Sequence, residues 1–198
     1  MLQPPPRKNC LSRTFYDRPP SAVARDLLGK ALLHKVDDAW IGGLIVETEA
    51  YLASDDPASH SARGKTPSNA SMFDSPGTLY VYPIHAKYCL NMVTETKGRG
   101  SAVLIRAIEP VWGVDQMRIH RGYNSIKRLT RGPAMLCQAL AVDRSHDGTH
   151  LLSSRDFRVA DVAGDCESEV HVTPRIGVSR AQDRLLRFIC AGNPFLSR

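Results

Sequence analysis

The chain has 198 residues, with 26 Lys plus Arg against 20 Asp plus Glu for a formal charge of +6, 42% hydrophobic residues and 7% aromatics. That balance excludes a disordered tail and a coiled coil, and a length of this order fits one compact domain with a real core. No run approaches the ~18 apolar residues of a transmembrane helix and the first twenty residues hold no apolar stretch of signal-peptide type, so a soluble, intracellular protein is expected.

Residues 1–20, with Pro4, Pro5, Pro6, Pro19 and Pro20, read as a flexible extended arm, and residues 21–198 as a single domain. Ser21 to Leu28 predicts a short helix, with Val23, Leu27 and Leu28 on one face and Gly29 as its stop. Ala31 to Lys35 and Trp40 to Ala50 predict two strands joined at Asp37-Asp38. Pro57 to Gly77 is rich in Ser, Pro, Gly and Asn and reads as a long loop, of the kind that is usually functional or disordered. Strands follow at Thr78 to Tyr82, Tyr88 to Val93 and Ala102 to Ile108. Trp112 to Arg121 predicts a helix, and Gly132-Pro133 opens another that carries Met135, Leu136, Ala139 and Leu140. Short strands are expected around Phe157 to Ala160, Arg175 to Val178 and Leu186 to Ala191. Strands in runs with few helices between them favour an α+β fold, a curved and largely antiparallel sheet flanked by helices, over βαβ alternation.

Charge is unevenly placed. From Met117 to Gly132 the chain carries Arg118, Arg121, Lys127, Arg128 and Arg131 without an acid, a stripe suited to a phosphate backbone, while Asp156, Asp161, Asp165, Glu167 and Glu169 come later. The ordinary reading of such a stripe is a solvated face. Cys10, Cys89, Cys137, Cys166 and Cys190 are odd in number and contain no C-x-x-C pair, against both a disulfide framework and a zinc module. Cys89, Cys137 and Cys190 sit in apolar runs as small buried hydrophobes.

Several local strings can carry chemistry. In Gly43-Leu44-Ile45-Val46-Glu47-Thr48-Glu49-Ala50-Tyr51 the strand period puts Glu47, Glu49 and Tyr51 on one face, a carboxylate beside an aromatic wall. Alone, the segment reads as a strand surfacing into water. His60 lies in the long loop with no metal-ligand spacing around it. Tyr80 and Tyr82 share a strand face, and Pro83 marks a strand end or an edge. Arg106 interrupts Val103-Leu104-Ile105-Arg106-Ala107-Ile108 and needs a carboxylate or phosphate partner, with Glu49 and Glu109 as candidates.

Together these strings resemble the alkyladenine (3-methyladenine) DNA glycosylase family. The likeness is carried by Val46-Glu47-Thr48-Glu49-Ala50-Tyr51-Leu52, Ala58-Ser59-His60, Thr66-Pro67-Ser68-Asn69 and Pro76-Gly77-Thr78-Leu79-Tyr80-Val81-Tyr82. It continues through Arg106-Ala107-Ile108-Glu109-Pro110, the Gly132 to Leu140 segment, Arg175-Ile176-Gly177-Val178 and Leu186-Arg187-Phe188, in order along the chain. The resemblance implies a monofunctional hydrolase that flips a damaged purine nucleotide out of double-stranded DNA and releases the base. Glu49 then matches the acid that activates water, and Arg106 the arginine that holds that water and the nucleotide. Tyr51, His60 and Tyr82 match residues that sandwich the base, and Asn91 the one at the purine edge that disfavours guanine's amine.

An alkylated purine is cationic, so π-faces attract it and it leaves readily, and one carboxylate base can serve where sugar hydrolases use two. Neutral lesions such as ethenoadenine or hypoxanthine would need more help with leaving-group protonation. Lys65 is the lysine near the pocket loop, and nothing beside it marks it as a Schiff-base nucleophile, so no lyase activity is expected. No metal or cofactor is called for.

The segment Pro83-Ile84-His85-Ala86-Lys87-Tyr88-Cys89-Leu90-Asn91 departs from the family pattern, being one residue shorter than its usual hairpin. By position His85 is the wedge that fills the gap left by the flipped base, with Ile84 and Tyr88 as alternatives. Arg63, Lys65, Arg118, Arg121, Lys127, Arg128 and Arg131 are the expected backbone contacts. The implied state is a monomer, away from membranes, in a bacterial cytoplasm at the nucleoid or in a eukaryotic nucleus. Two other classes remain at this stage, a non-catalytic nucleic-acid-binding module that stacks bases on Tyr51 and Tyr82, and a carbohydrate glycosidase using Glu47 and Glu49.

Overall fold

One long central strand sets the architecture. The structure, a computed structural model, describes residues 3–162 and 169–197. Strand β1 (Ala31–Val36) turns at Asp37 and Asp38, both in the left-handed region that such tight hairpins require, into β2 (Ala39–Tyr51). The remaining strands are β3 (Leu79–Ile84), β4 (Lys87–Thr94), β5 (Ser101–Trp112), β6 (Phe157–Ala160), β7 (Val170–Thr173) and β8 (Arg187–Cys190). They form one antiparallel sheet in the order β3-β4-β5-β2-β1-β6, with β8 pairing β2 and β7. Along one side β2 pairs β5 for most of its length. Along the other it pairs β1 as far as Leu44, then leaves it and takes up β8 at Glu47, Thr48 and Glu49.

Two glycines make that change of partner sterically possible. A Cβ on Gly42 would lie 2.0 Å from the Leu32 carbonyl oxygen, and one on Gly43 would lie 1.9 Å from that of Glu109. Backbones packed this closely leave no room for any side chain.

The strand period divides the sheet into two faces. Leu79, Val81, Leu90, Met92, Val103 and Ile105 join the main core with Val23 and Ala24 of α2 (Pro20–Asp26) and Leu136 and Cys137 of α4 (Pro133–Ala139). On the opposite face, Tyr80 stands across from Asn91, Asn91 from Leu104, and Leu104 from Glu49. Directly opposed residues share a face, so this row runs across four strands and ends on a carboxylate. Met72, Tyr80, Val93 and Ala102 form a small separate core there, with Tyr51, Phe73 and Tyr82 against it.

The long Pro57 to Gly77 segment is more ordered than its composition indicated. It folds as two 3-10 stretches, His60–Arg63 and Pro67–Phe73, the second opened by reciprocal capping between Thr66 and Asn69. The proline-rich start also differs from an extended arm. From Arg7 it makes short helical turns, including α1 (Arg13–Tyr16), with Leu11 and Tyr16 buried in the main core. Within it, Arg7 donates to the carbonyls of Leu152 and Ser154.

Arg175 to Val178 is not a strand; β7 forms earlier, and β8 answers to the expected Leu186 to Ala191. Trp112 closes β5 rather than opening α3 (Val114–Arg121). Cys10, Cys89 and Cys137 are free thiols, whereas Cys190, expected as a buried thiol, is disulfide-bonded. Cys166, Asp165 and Glu167 lie outside the described residues. Among the described residues no helix is long and apolar enough to cross a membrane.

Replacing Gly43 by Ala should force β2 and β5 apart. The expected loss of unfolding free energy is about 1–3 kcal/mol, in the range of core overpacking, measured by urea titration.

Candidate active site

The acids at the end of β2 do not surface into water. Glu47 and Glu49 are both 0% exposed, enclosed because β5 flanks them on one side and β8 on the other. The pairing with β5 slips here: Glu47 opposes Ala107, Thr48 opposes Ile105, and Arg106 occupies the slip between them. A bulge re-aims the extra side chain, and Arg106 is turned onto the acidic face. Its Nε donates to Glu47 Oε1 at 3.0 Å and its Nη1 lies 3.2 Å from Glu49 Oε2. Glu109, the other candidate partner, instead accepts from the Asn193 amide at 3.0 Å.

Glu47 is the more heavily tied of the two. Arg187 Nε reaches it at 2.7 Å, the Ser197 backbone N–H at 2.5 Å and the Ser197 hydroxyl at 2.7 Å. Burial alone would raise its carboxyl; the Ser197 donors and the Arg187 and Arg106 guanidinium groups outweigh this and hold it below the usual carboxylate range. Glu49 accepts from the Tyr51 hydroxyl at 3.0 Å on Oε2 and from the Ile176 backbone N–H at 2.7 Å on Oε1. A carboxylate offers about four acceptor positions, so with Arg106 counted one on Oε1 is filled by no donor among the described residues.

Tyr51 connects this buried cluster to an open cleft of about 1160 Å³, whose walls include His60, Tyr80 and Tyr82. His60 and Tyr82 meet at a ring-centroid distance of 4.5 Å, and His60 Nδ1 lies 2.8 Å from the Tyr80 hydroxyl. His60 is exposed toward the cleft, while burial of its inner side lowers its pKa, so the ring is neutral near neutral pH. Burial raises the Tyr51 and Tyr82 hydroxyls well beyond the ordinary range and Tyr80 to about 12, so all three are protonated donors.

Behind Tyr51 lies a second buried ion pair that local sequence patterns did not reveal. Arg175 forks onto Asp56 with both contacts at 2.7 Å, donates to the Ala50 carbonyl and covers the Tyr51 ring at 4.7 Å. Asp56 also accepts from the backbone N–H groups of Leu52 and Ala58. Burial pushes its carboxyl up, but Arg175 and these amides prevail and leave it below the usual range. The pair fixes where the chain leaves β2 and places Ile176 against Glu49.

A family model described as methylpurine-DNA glycosylase matches residues 14–194. The chain belongs to the methylpurine-DNA glycosylase family. That bears out the resemblance read from the motifs, and the family's activity is that of a hydrolase acting on N-glycosyl bonds. The chain is also 52% identical over 192 residues to a protein of Rhodopirellula baltica, covering 94% of this chain and 82% of that protein. It is 44% identical over 192 residues to one from Koribacter versatilis, covering 94% and 92%, and 41% identical over 189 residues to one from Carboxydothermus hydrogenoformans, covering 95% and 98%. Each is provisionally named a 3-methyladenine DNA glycosylase.

Set on this family frame, the expected site residues separate into groups. Glu49 touches both Arg106 and Tyr51, and Tyr51, His60 and Tyr82 line one cleft. Asn91 lies on the same face but is buried, its amide donating to the Tyr80 carbonyl, and it is not part of the cleft wall. His85 sits with Ala86 at the tip of the β3–β4 hairpin, both at positive φ and exposed. Of the alternatives, Tyr88 is half-buried against the main core and Ile84 stays exposed at the cleft edge.

The cationic stripe is smaller than its sequence. Arg121 is buried and donates to the Leu129 and Arg128 carbonyls and to Gln138, so it braces the loop after α3 and does not face a ligand. Arg118 pairs with Asp115 at 2.5 Å, an acid just ahead of the stripe. Lys127, Arg128 and Arg131 line a second cleft that also reaches Arg106. Arg63 and Lys65 are exposed, and Arg63 lines the aromatic cleft.

Asp56→Asn should leave Arg175 buried without its counter-ion and cost about 3–5 kcal/mol of unfolding free energy at neutral pH. Asp56 titrates lower folded than unfolded, so its contribution is complete above the unfolded value of about 4 and is lost as pH falls through the folded value. Urea titrations on both sides of that window check the sign: the variant should lose less stability on acidification than the wild type.

Proposed function

We propose that the chain hydrolyses the N-glycosidic bond of alkylated purines, 3-methyladenine and 7-methylguanine, in double-stranded DNA, leaving an abasic site. The observation that carries this reading is Glu49, buried with one acceptor position open and tied through Tyr51 to an aromatic cleft. The damaged nucleotide is flipped and its base stacks on Tyr51, His60 and Tyr82. A cationic base is drawn to π-faces, and a neutral His60 adds a flat wall without charge repulsion.

A water held at the open Oε1 position attacks C1′ of the deoxyribose. The C1′–N bond breaks, its electron pair neutralises the departing cationic base, and the proton of the water passes to Glu49. Arg106 stays charged because the Glu49 and Glu47 carboxylates outweigh its burial, and it holds Glu49 in register. Asn91, expected at the purine edge, is instead buried with its amide on the Tyr80 carbonyl, so it steadies the strand behind the aromatic wall. His85 at the hairpin tip enters the stack where the base has left. Lys127, Arg128, Arg131, Arg63 and Lys65 meet phosphates, and the protein works as a monomer at the bacterial nucleoid without metal or organic cofactor.

Release of free 3-methyladenine from methylated duplex DNA tests the reaction. Glu49→Gln should abolish release and retain DNA binding; absence of release by the wild type would leave only a nucleic-acid-binding module. His85→Ala should reduce excision from duplex by at least about tenfold, as expected for losing a wedge that offsets a few kcal/mol of unstacking, and should spare single-stranded substrate. Equal losses on both substrates would remove the wedge role.

A further inference from the structure

Three arginines stand on the wall of the aromatic cleft, and two of them, Arg180 and Arg184, have no task in the reading above, where Arg63 already meets a phosphate. Arg63 ends the His60–Arg63 turn; Arg180 and Arg184 lie on the segment between Arg175 and β8. Arg63 and Arg180 are exposed and Arg184 half-buried, and among the described residues their guanidinium groups make no ion pair or side-chain hydrogen bond. Other arginines near the cleft are engaged: Arg175 with Asp56, Arg187 with Glu47, and Arg144 with the Val81 carbonyl and Asp147. Of the acids on the cleft wall, Asp56 is consumed by Arg175, which leaves exposed Asp55 against three guanidinium groups. Asp183 adds an exposed carboxylate next to Arg184 but is not on the wall.

The cleft is also larger than a flipped base needs, since pockets of about 300–1,000 Å³ accommodate whole drug-sized ligands, and this one is about 1160 Å³. Its free cations stand on two segments of chain, and between them the rim carries the hydroxyls of Thr66, Ser68 and Ser179. At Gly177, with φ +77°, nothing lies within 4 Å of where a Cβ would be, so backbone there is open to an approaching strand.

We propose that Arg180 and Arg184, on the wall of the same cleft as Arg63, form with it a phosphodiester clamp for the DNA strand that carries the flipped nucleotide. The ligand class is the sugar-phosphate backbone, held by charge and hydroxyl donors without base readout. The clamp rests on the glycosylase reading for its placement beside a flipped base. It also couples to the general base, because the segment with Arg180 and Arg184 supplies the Ile176 N–H that holds Glu49. A phosphate seated on the rim pins that segment against the acid.

Binding to a fluorescein-labelled duplex with a central tetrahydrofuran abasic analogue, followed by anisotropy across a salt series, isolates the clamp from base release. The slope of log K against log salt should shrink by about 0.9 for each phosphate contact removed, so by about 1.8 in Arg180→Ala/Arg184→Ala. Arg180→Lys/Arg184→Lys, which keeps both charges, should hold the wild-type slope. An unchanged slope in the alanine pair, or an equal fall in the lysine pair, would overturn the clamp. Failure of the wild type to release 3-methyladenine would overturn the glycosylase reaction and leave the slope measurement standing, so the two failures are distinguishable.

Discussion

Arg106 between Glu47 and Glu49 is the interaction on which the rest of the structure depends. A buried guanidinium between two carboxylates that have no exposure is tolerated only if every charge is answered, because removing one partner from such a cluster costs about 3–5 kcal/mol. Each answer comes from a different part of the chain. Arg187 arrives on β8, Ser197 from the last described residues, and the Ile176 N–H from the segment before β8. The sheet must therefore be bulged at Arg106, and β8 must replace β1 alongside β2, before the cluster closes. Glu47 balances Arg187 and shares Arg106 with Glu49. The carboxylate proposed to do chemistry is thus held by one that does none.

The two-faced sheet explains how such a polar cluster coexists with a stable core in a chain of this size. Apolar residues of odd register, Leu79, Val81, Val103 and Ile105, bury against helices α2 and α4, while Tyr80, Tyr82, Asn91, Leu104 and Glu49 occupy the other face. The outer edge of β3 would otherwise be open to pairing with another chain. Asp147 accepts the Val81 N–H at 2.8 Å, and Arg144 donates to the Val81 carbonyl. One ion pair therefore both blunts the edge and steadies the strand that carries two of the aromatic walls.

Local pattern carried much of the fold, and long-range pairing carried what it missed. The period of two put Glu47, Glu49 and Tyr51 together, and the Gly132-Pro133 start placed α4, because those signals act over a few residues. The charge partners act across the whole chain. Asp56 meets Arg175 from 119 residues away, and Ser197 meets Glu47 from 150. Nothing in either neighbourhood marks the partnership. The same limit explains Glu109: it lies three residues from Arg106, but strand residues an odd number apart point to opposite faces, and Asn193 takes that carboxylate. In the Pro57 to Gly77 segment, composition signalled irregular backbone, yet side-chain capping by Thr66 and Asn69 supplied the local order that periodicity does not register.

Net charge is the coarsest of these signals, and its meaning changes once each arginine has an address. Arg106, Arg121, Arg175 and Arg187 are internal ties, satisfied by carboxylates, carbonyls or an amide, and they present little positive field to a partner. A formal +6 spread over such residues would say nothing about a ligand. Two places where cations gather without being consumed in this way are the rim of the aromatic cleft and the cleft bounded by Lys127, Arg128 and Arg131. Arg106 borders the second and its partner Tyr51 cluster borders the first. Those two gatherings flank the buried acid, a placement suited to bringing a polyanion to a carboxylate that would by itself repel it.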